Sequence, residues 1–387
     1  MDNIWISGSA RTPIGSHGGN LSSLSAPQLG SLSVKETLKR AGLSPDDVDE
    51  VIFGNVLSAG LGQNVARQVS IGAGIPNTVP ATTINKVCGS GLKAVMLAVQ
   101  GIQCGDADIV ISGGTESMTR APHVTPTALK PRREPEGAPV DAMLRDGLWD
   151  VFNDIHMGTC GDRCAEKYSL SREDQDNFAV ESYQRALAAQ KDGNLAREIV
   201  PVETEGGLFS EDEEPARFNE EKLRGLRPAF GETGTVSAAN ASSVNDGAAS
   251  VAVISEAARE RTGVVPEAKI VGYTMAAREP EWFTLAPIKA ISQLLEKTGL
   301  SVDNIDLFEI NEAFSCVPMA AMKELSIPHD RINVFGGAVA LGHPIGASGC
   351  RVLVTLLNAM EVRDAKVGVA SLCIGGGEAV ALAVERG

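Results

Sequence analysis

Short apolar runs alternate along the chain with segments whose apolar residues recur at every third or fourth position. Val51–Asn55 and Leu307–Ile310 read as strands. Asp108–Ser112 and Val367–Cys373 are almost wholly apolar, the pattern of strands buried on both faces. Leu92, Val95, Met96 and Val99 fall on one face of a helix predicted over Leu92–Gln103. Strands and helices taking turns in this way predict stacked α/β layers.

The pattern has an echo. Gly89-Ser90-Gly91 opens one helix, and the strand Asp108–Ser112 runs into Gly113-Gly114. Ala347-Ser348-Gly349 opens another, and Val367–Cys373 runs into Gly375-Gly376-Gly377. The offset from serine to strand is 19 residues in both cases, from Ser90 to Ile109 and from Ser348 to Val367. A duplication into two similar halves would produce this match, and so would coincidence.

Residues 118 to about 243 break the rhythm. Five prolines between Pro122 and Pro139 mark irregular backbone. Ser171-Arg172-Glu173-Asp174 is a capping box that predicts a helix running through Gln190. Acidic Glu211–Glu214 reads as a solvated loop. The whole segment reads as an insertion into the first half, a common place for substrate recognition.

Composition narrows the function. A chain of 387 residues is too long for one ordinary core. Apolar content of 43% and charged content of 21% fit a globular protein. A net charge of −15 opposes binding to nucleic acid or anionic membranes. The densest basic stretch, Lys130-Pro131-Arg132-Arg133, reads as a solvated loop or a local patch for an anionic cofactor tail. The seven cysteines are scattered without a CxxC pair. That argues against a disulfide framework or zinc site, and for reduced thiols in the cytoplasm. Met1–Ile6 lacks the features of a secretory leader, and no stretch reads as a bilayer span.

Three reactive side chains stand where apolar runs meet glycines. Cys88 opens Cys88-Gly89-Ser90-Gly91 ahead of a helix start, where free N–H groups and the helix dipole are expected to lower its pKa. His343 sits in Gly342-His343-Pro344-Ile345-Gly346, and a neutral imidazole there suits a general base. Cys373 opens Cys373-Ile374-Gly375-Gly376-Gly377. Two thiols and an imidazole fit acyl transfer through a thioester, one cysteine carrying the acyl group and the other moving a proton. Asn311, in Asn311-Glu312-Ala313-Phe314, could hold a water or donate to an oxyanion, or simply cap a turn. Taken singly, each cysteine also reads as a buried, inert one, and His343 as a structural turn residue.

These motifs, with Ala10-Arg11-Thr12-Pro13, Gly113-Gly114-Thr115-Glu116-Ser117-Met118 and Asn240-Ala241-Ser242, stand in an order that resembles the thiolases over nearly the whole chain. The resemblance implies an α/β fold of two similar α-β-α-β-α layered halves related by duplication, with an inserted loop domain. The halves would be residues 1–117 with 244–265, and 266–387, the loop domain 118–243. It implies that Cys88 is the acylated nucleophile and Cys373 the acid/base. His343 would activate Cys88 and share an oxyanion hole with an Asn311-bound water. The backbone N–H groups of Cys88 and Gly375 would form a second hole.

Coenzyme A and acetyl-CoA would be substrates, with no permanently bound cofactor and no metal. The assembly would be a homodimer or homotetramer. His156 and Met157 resemble the short-chain, acetoacetyl-specific branch, which condenses two acetyl-CoA or cleaves acetoacetyl-CoA. A 3-ketoacyl-CoA thiolase of broader chain length is the alternative, and a non-catalytic acyl-CoA-binding protein a further one. Ser242, Leu148, Ala238 and Phe314 match substrate-channel positions. Phe283, in a bulkier Pro280-Glu281-Trp282-Phe283 than the family leads one to expect, would lie beside the acyl site. Arg217, Lys222 and Arg224 are candidates for the nucleotide end of coenzyme A.

Overall fold

A computed structural model describes residues 3–127 and 137–387. Its centre is one ten-stranded sheet. Nine strands form its path: β1 (Ile4–Arg11), β2 (Glu50–Gly54), β3 (Ala81–Ile84), β4 (Ile109–Ser117), β5 (Asn245–Ser255), β6 (Ala268–Ala277), β7 (Leu307–Ile310), β8 (Val367–Ile374) and β9 (Glu378–Glu385). The tenth, Gly15–Ser16, pairs with the start of β5.

The spatial order β7-β8-β9-β6-β1-β5-β4-β2-β3 explains the echo. In the first half the strands run β1-β5-β4-β2-β3. In the second they run β6-β9-β8-β7, the same order with the outermost strand missing. The halves meet where β1 pairs with β6 over only two positions, Trp5 with Lys269 and Ile6 with Ala268. That narrow seam makes one hydrogen-bonded sheet of what the sequence presents as two.

β4 is longer than the apolar run that predicts it. It continues through Gly113-Gly114 to Ser117, because β5 pairs with it from Ile109 to Ser117. Neighbouring backbone here overrides the turn preference of the glycines.

The helices form the other layers. Ala26–Ala41 covers the outer face of the first half and Ala286–Thr298 that of the second. Ser90–Cys104 and Ile345–Val362 pack on each other in the middle layer. Leu92, Val95, Met96 and Val99 are all buried there, on the face the periodicity selects. The two stretches Val87–Cys104 and Ile345–Val362 are in fact long and apolar enough for a membrane span by composition. Burial accounts for that: in Ile345–Val362 89% of the window is inside the protein.

These central helices cross on glycine. A Cβ at Gly91 would lie 2.6 Å from the Cys350 backbone nitrogen, and one at Gly349 would lie 2.4 Å from that of Leu92. Only backbone-to-backbone contact fits there. The crossing brings together the N-terminal ends of the two helices, just beyond Cys88 and His343.

Within the insertion, the capping box forms as expected. Ser171 Oγ accepts from the Asp174 N–H, and the Asp174 carboxylate from the Ser171 N–H, opening the helix Arg172–Lys191. Short strands His123–Val124 and Val140–Asp141 pair at the base of the proline-rich loop. Lys130-Pro131-Arg132-Arg133 lies outside the described residues. The reading of Glu211–Glu214 as solvated is corrected. Asp212 is buried and takes both Nη atoms of buried Arg11 at 2.6 and 2.7 Å, while Glu198 takes Nε. The charge run holds an ion pair that the linear pattern hides.

Candidate active site

β8 delivers Cys373 to the site, with Cys373 registered on Ala379 across the β8–β9 hairpin. Gly375, in the turn of that hairpin, lies against two other segments. A Cβ there would meet Met157 Cε at 2.3 Å and Val87 Cγ1 at 3.7 Å. The turn therefore touches both the Cys88 loop and the start of the Met157–Tyr168 helix.

The Cys88 loop is held from several sides. Val87 adopts φ +45°, a strained value for a β-branched residue. The Val87 N–H donates to Asn85 Oδ1 at 2.9 Å, and Ser90 Oγ donates to the Val87 carbonyl at 2.7 Å. Lys86 forms an ion pair with Glu378 at the start of β9. These contacts fix the thiol beside the Gly375 N–H, which stabilises its thiolate.

The expected lowering of the Cys88 pKa does not occur. Burial pushes the thiol up to about 11, with a smaller push from buried Glu116, and outweighs the Gly375 N–H. The first helical N–H groups are not aimed at sulfur: Gly89 N–H bonds to the Lys86 carbonyl and Ser90 N–H to that of Val87. Cys373 is raised further above the usual thiol range, by burial and then by the neighbouring Cys88. Both resting groups are thiols. Alkylation of Cys88 by iodoacetamide should therefore accelerate about tenfold per pH unit from pH 7 to 10. Mass spectrometry of the Cys88 peptide reads this out. A rate already level at pH 7 would mean a preformed thiolate–imidazolium pair.

His343 is buried at the entry to the Ile345–Val362 helix. Its backbone N–H donates to Asn245 Oδ1 at 2.9 Å, fastening a second-half turn to the first strand of the returning first half. Gly346 N–H bonds to the Glu116 carboxylate at 3.0 Å, a second such tie. The His343 Nδ1 lies 2.6 Å from Ser348 Oγ, whose own proton goes to the Pro344 carbonyl at 2.9 Å. A hydroxyl has one proton, so Nδ1–H is the donor and Nε2 carries the lone pair. Nε2 is buried without a partner. Burial, aided by the Arg351 charge, lowers the imidazole pKa to about 3, so it is neutral at physiological pH. Nothing in the linear motif shows this role of Ser348.

Asn311 follows β7. Its N–H bonds to the Ser371 carbonyl on β8 at 3.0 Å, two residues before Cys373, and its Nδ2 lies 3.5 Å from His343 Nδ1. Cys88, Cys373, Gly375, His343 and Asn311 thus occupy one region, built from both halves.

The remaining candidates separate into groups. His156 caps the Met157–Tyr168 helix, its Nδ1 accepting from the Gly158 N–H at 3.0 Å. Its ring stacks on Phe230 at 4.5 Å. Phe230 meets Phe314 edge-on at 6.3 Å, and Phe314 meets Phe283 at 6.4 Å. Phe230 is the residue missed: it belongs to a loop of ordinary composition. Phe283 is buried against Phe314, and Trp282 lies under Lys167 at 4.4 Å. Ser242 donates its hydroxyl to the Ala313 carbonyl at 3.1 Å. Leu148 packs on the core that includes Cys88.

Arg217, Lys222 and Ala238 line one surface cavity of 290 Å³. Tyr183 and Phe218, stacked at 4.9 Å, line it as well and were not legible as a pair. Arg224 is instead tied to Glu220 and Asn177.

The solved structure of the Acat5 thiolase from Ascaris suum, in complex with coenzyme A, superposes with a TM-score of 0.93 and 44% identity, covering 99% of this chain and 100% of that one. A protein named acetyl-CoA acetyltransferase 2 from Arabidopsis thaliana is 51% identical over 99% of this chain and 96% of its own. The cytosolic acetyl-CoA acetyltransferase ERG10 of Gibberella zeae is 48% identical over 99% of this chain and 98% of its own. The thiolase N-terminal domain matches residues 4–257 and the thiolase C-terminal domain residues 264–386. With each half of the duplicated sheet matched by its own domain, the chain belongs to the thiolase family.

Proposed function

We propose that this protein is an acetyl-CoA C-acetyltransferase, joining two acetyl-CoA into acetoacetyl-CoA and CoA and catalysing the reverse thiolysis. The observation that carries the reading is the pairing of two buried thiols with a neutral imidazole whose Nε2 is free. His343 Nε2 takes the Cys88 proton as sulfur attacks the acetyl thioester. The departing CoA thiolate takes the Cys373 proton, leaving acetyl-Cys88, a protonated His343 and a Cys373 thiolate. That thiolate removes an α-proton from the second acetyl-CoA. The carbon attacks acetyl-Cys88, and Cys88 regains its proton from His343. A thiolate made strongly basic by burial is suited to so weak an acid as a C–H next to a thioester. The Gly375 and Cys88 N–H groups, and Asn311 with a water, would hold the two oxyanions.

Residues 1–117 with 244–265 and 266–387 are inferred as the catalytic halves, and 118–243 as the loop domain. Within it, His156 and Met157 would meet the acyl and pantetheine end, alongside Leu148, Ser242 and Phe314. The Tyr183–Phe218 cavity, with Arg217 and Lys222 at its rim, suits an adenine nucleotide by stacking and charge. Arg217→Ala and Lys222→Ala should each raise KM for CoA about three- to tenfold with kcat within about twofold, a loss of binding made equally in both states. Steady-state kinetics in CoA checks this. A homodimer or homotetramer in the cytoplasm completes the reading, supported by the cytosolic relative and the unpaired cysteines.

Thiolysis of acetoacetyl-CoA against a long-chain 3-ketoacyl-CoA tests the substrate. On this reading the aromatic row from His156 to Phe283 would narrow the site, so kcat/KM should favour the short substrate by about 100-fold or more. Comparable turnover of the long one would make this a broader 3-ketoacyl-CoA thiolase. No turnover of either, with CoA still bound, would leave an acyl-CoA-binding protein.

A further inference from the structure

Arg351 lies in the second turn of the Ile345–Val362 helix and is 1% exposed. Its Nη1 donates to Glu309 Oε1 at 2.7 Å, and its Nη2 to Asn311 Oδ1 at 3.3 Å. Glu309 is equally buried, within β7. A buried ion pair is no more stabilising than an apolar pair of the same volume, so core stability gives little reason for this one. Its place gives a better reason. The two ends of an asparagine amide are alike in shape, and only their partners decide which end faces where. A guanidinium offers donors only and does not deprotonate. The amide end turned toward Arg351 is therefore Oδ1, which leaves the Nδ2 end 3.5 Å from His343 Nδ1, whose own proton is engaged by Ser348.

We propose that the Arg351–Glu309 pair is a positioning device that keeps Asn311 presenting N–H donors, never its carbonyl, to the reacting atoms. Glu309 aims the guanidinium fork, one arm of which grips Asn311. An inverted amide would set a carbonyl oxygen against a developing oxyanion. This inference rests on the thiolase reading of Asn311.

Arg351→Lys tests it, because lysine keeps a charge for Glu309 and loses the planar fork. In acetoacetyl-CoA thiolysis, kcat should fall about 10- to 100-fold with KM for CoA within about threefold, the usual range for groups that orient a reacting side chain. Asn311→Ala alone should cost a similar factor, and Asn311→Ala with Arg351→Lys should be no slower than the slower single variant. The alkylation rate of Cys88 should match the wild type in Arg351→Lys, which keeps the charge near His343, and in Asn311→Ala. If Arg351→Lys does not fold, Glu309→Met with Arg351→Met removes both charges and enters the same cycle. Losses that multiply, as they do for independent sites, would overturn the proposal, as would an unchanged kcat. The wild type is assayed first. An inactive wild type would sink the thiolase reading itself, whereas an active one with multiplying losses sinks only the positioning role.

Discussion

Cys88→Ala should lower acetoacetyl-CoA thiolysis by at least about 10⁴-fold, because the proposed mechanism gives the acyl chain no other carrier. Cys373, near a strand end, is the proposed carrier of the proton. Cys350, the next cysteine in the same core, is packed into the helix crossing against Gly91, with burial alone raising its thiol. The substitution removes one sulfur from a buried position and should destabilise the fold by about 1 kcal/mol. Incubation with acetyl-CoA followed by intact-mass measurement should show an acetyl adduct on the wild type and none on the variant. An adduct on Cys88→Ala would mean that another residue is the nucleophile. Cys350→Ala is the matched control, and should keep its activity.

Cys373→Ala should divide the reaction in two. Acylation needs Cys88, a base and the backbone donors at Gly375, all of which remain. The CoA thiolate is a good leaving group and can take its proton from water, so acetyl-Cys88 should still form within about tenfold of the normal rate. Carbon–carbon bond formation needs a base for the α-proton, and should fall by about 10⁴-fold or more. The expected result is one equivalent of CoA released in a burst, acetyl-Cys88 accumulating, and almost no acetoacetyl-CoA. If condensation persists at a substantial rate, the proton is taken by another group. His343, with its free Nε2, would be the first to examine.

Three of the candidate residues stood out because each sits at a junction between two local signals, a run of apolar residues and a cluster of glycines. Cys88, His343 and Cys373 fall at such junctions; Asn311 follows an apolar strand with no glycine beside it, and the structure gathers all four. What escaped is what depends on a partner distant in the chain. Asp212 lies in an acidic run that looks solvated, yet it is buried by Arg11, which is 201 positions away. The helix start at Cys88 suggested a lowered pKa. Its N–H groups turn instead to loop carbonyls, and burial decides the sign. Ser348 and Arg351 read as ordinary helix residues. Their roles arise because the helix entry carries His343 and its second turn reaches β7. Phe230, and Tyr183 with Phe218, become aromatic platforms only when separate segments are folded together.

The sheet's topology has a consequence for synthesis on the ribosome. β5 is the shared neighbour of β1 and β4, yet it is encoded beyond the whole insertion. The 138 residues between Ser117 at the end of β4 and Ser255 at the end of β5 take about 7–28 s to translate at ordinary elongation rates. Throughout that interval β1 and β4 have emerged with long unpaired edges, one of them almost wholly apolar. Such edges are templates for wrong partners. A nascent chain of this protein is therefore most exposed to aggregation while the insertion is being made. Ribosome-associated chaperones would find their longest-lived target there, and a stall within the insertion would do more harm than one after residue 255.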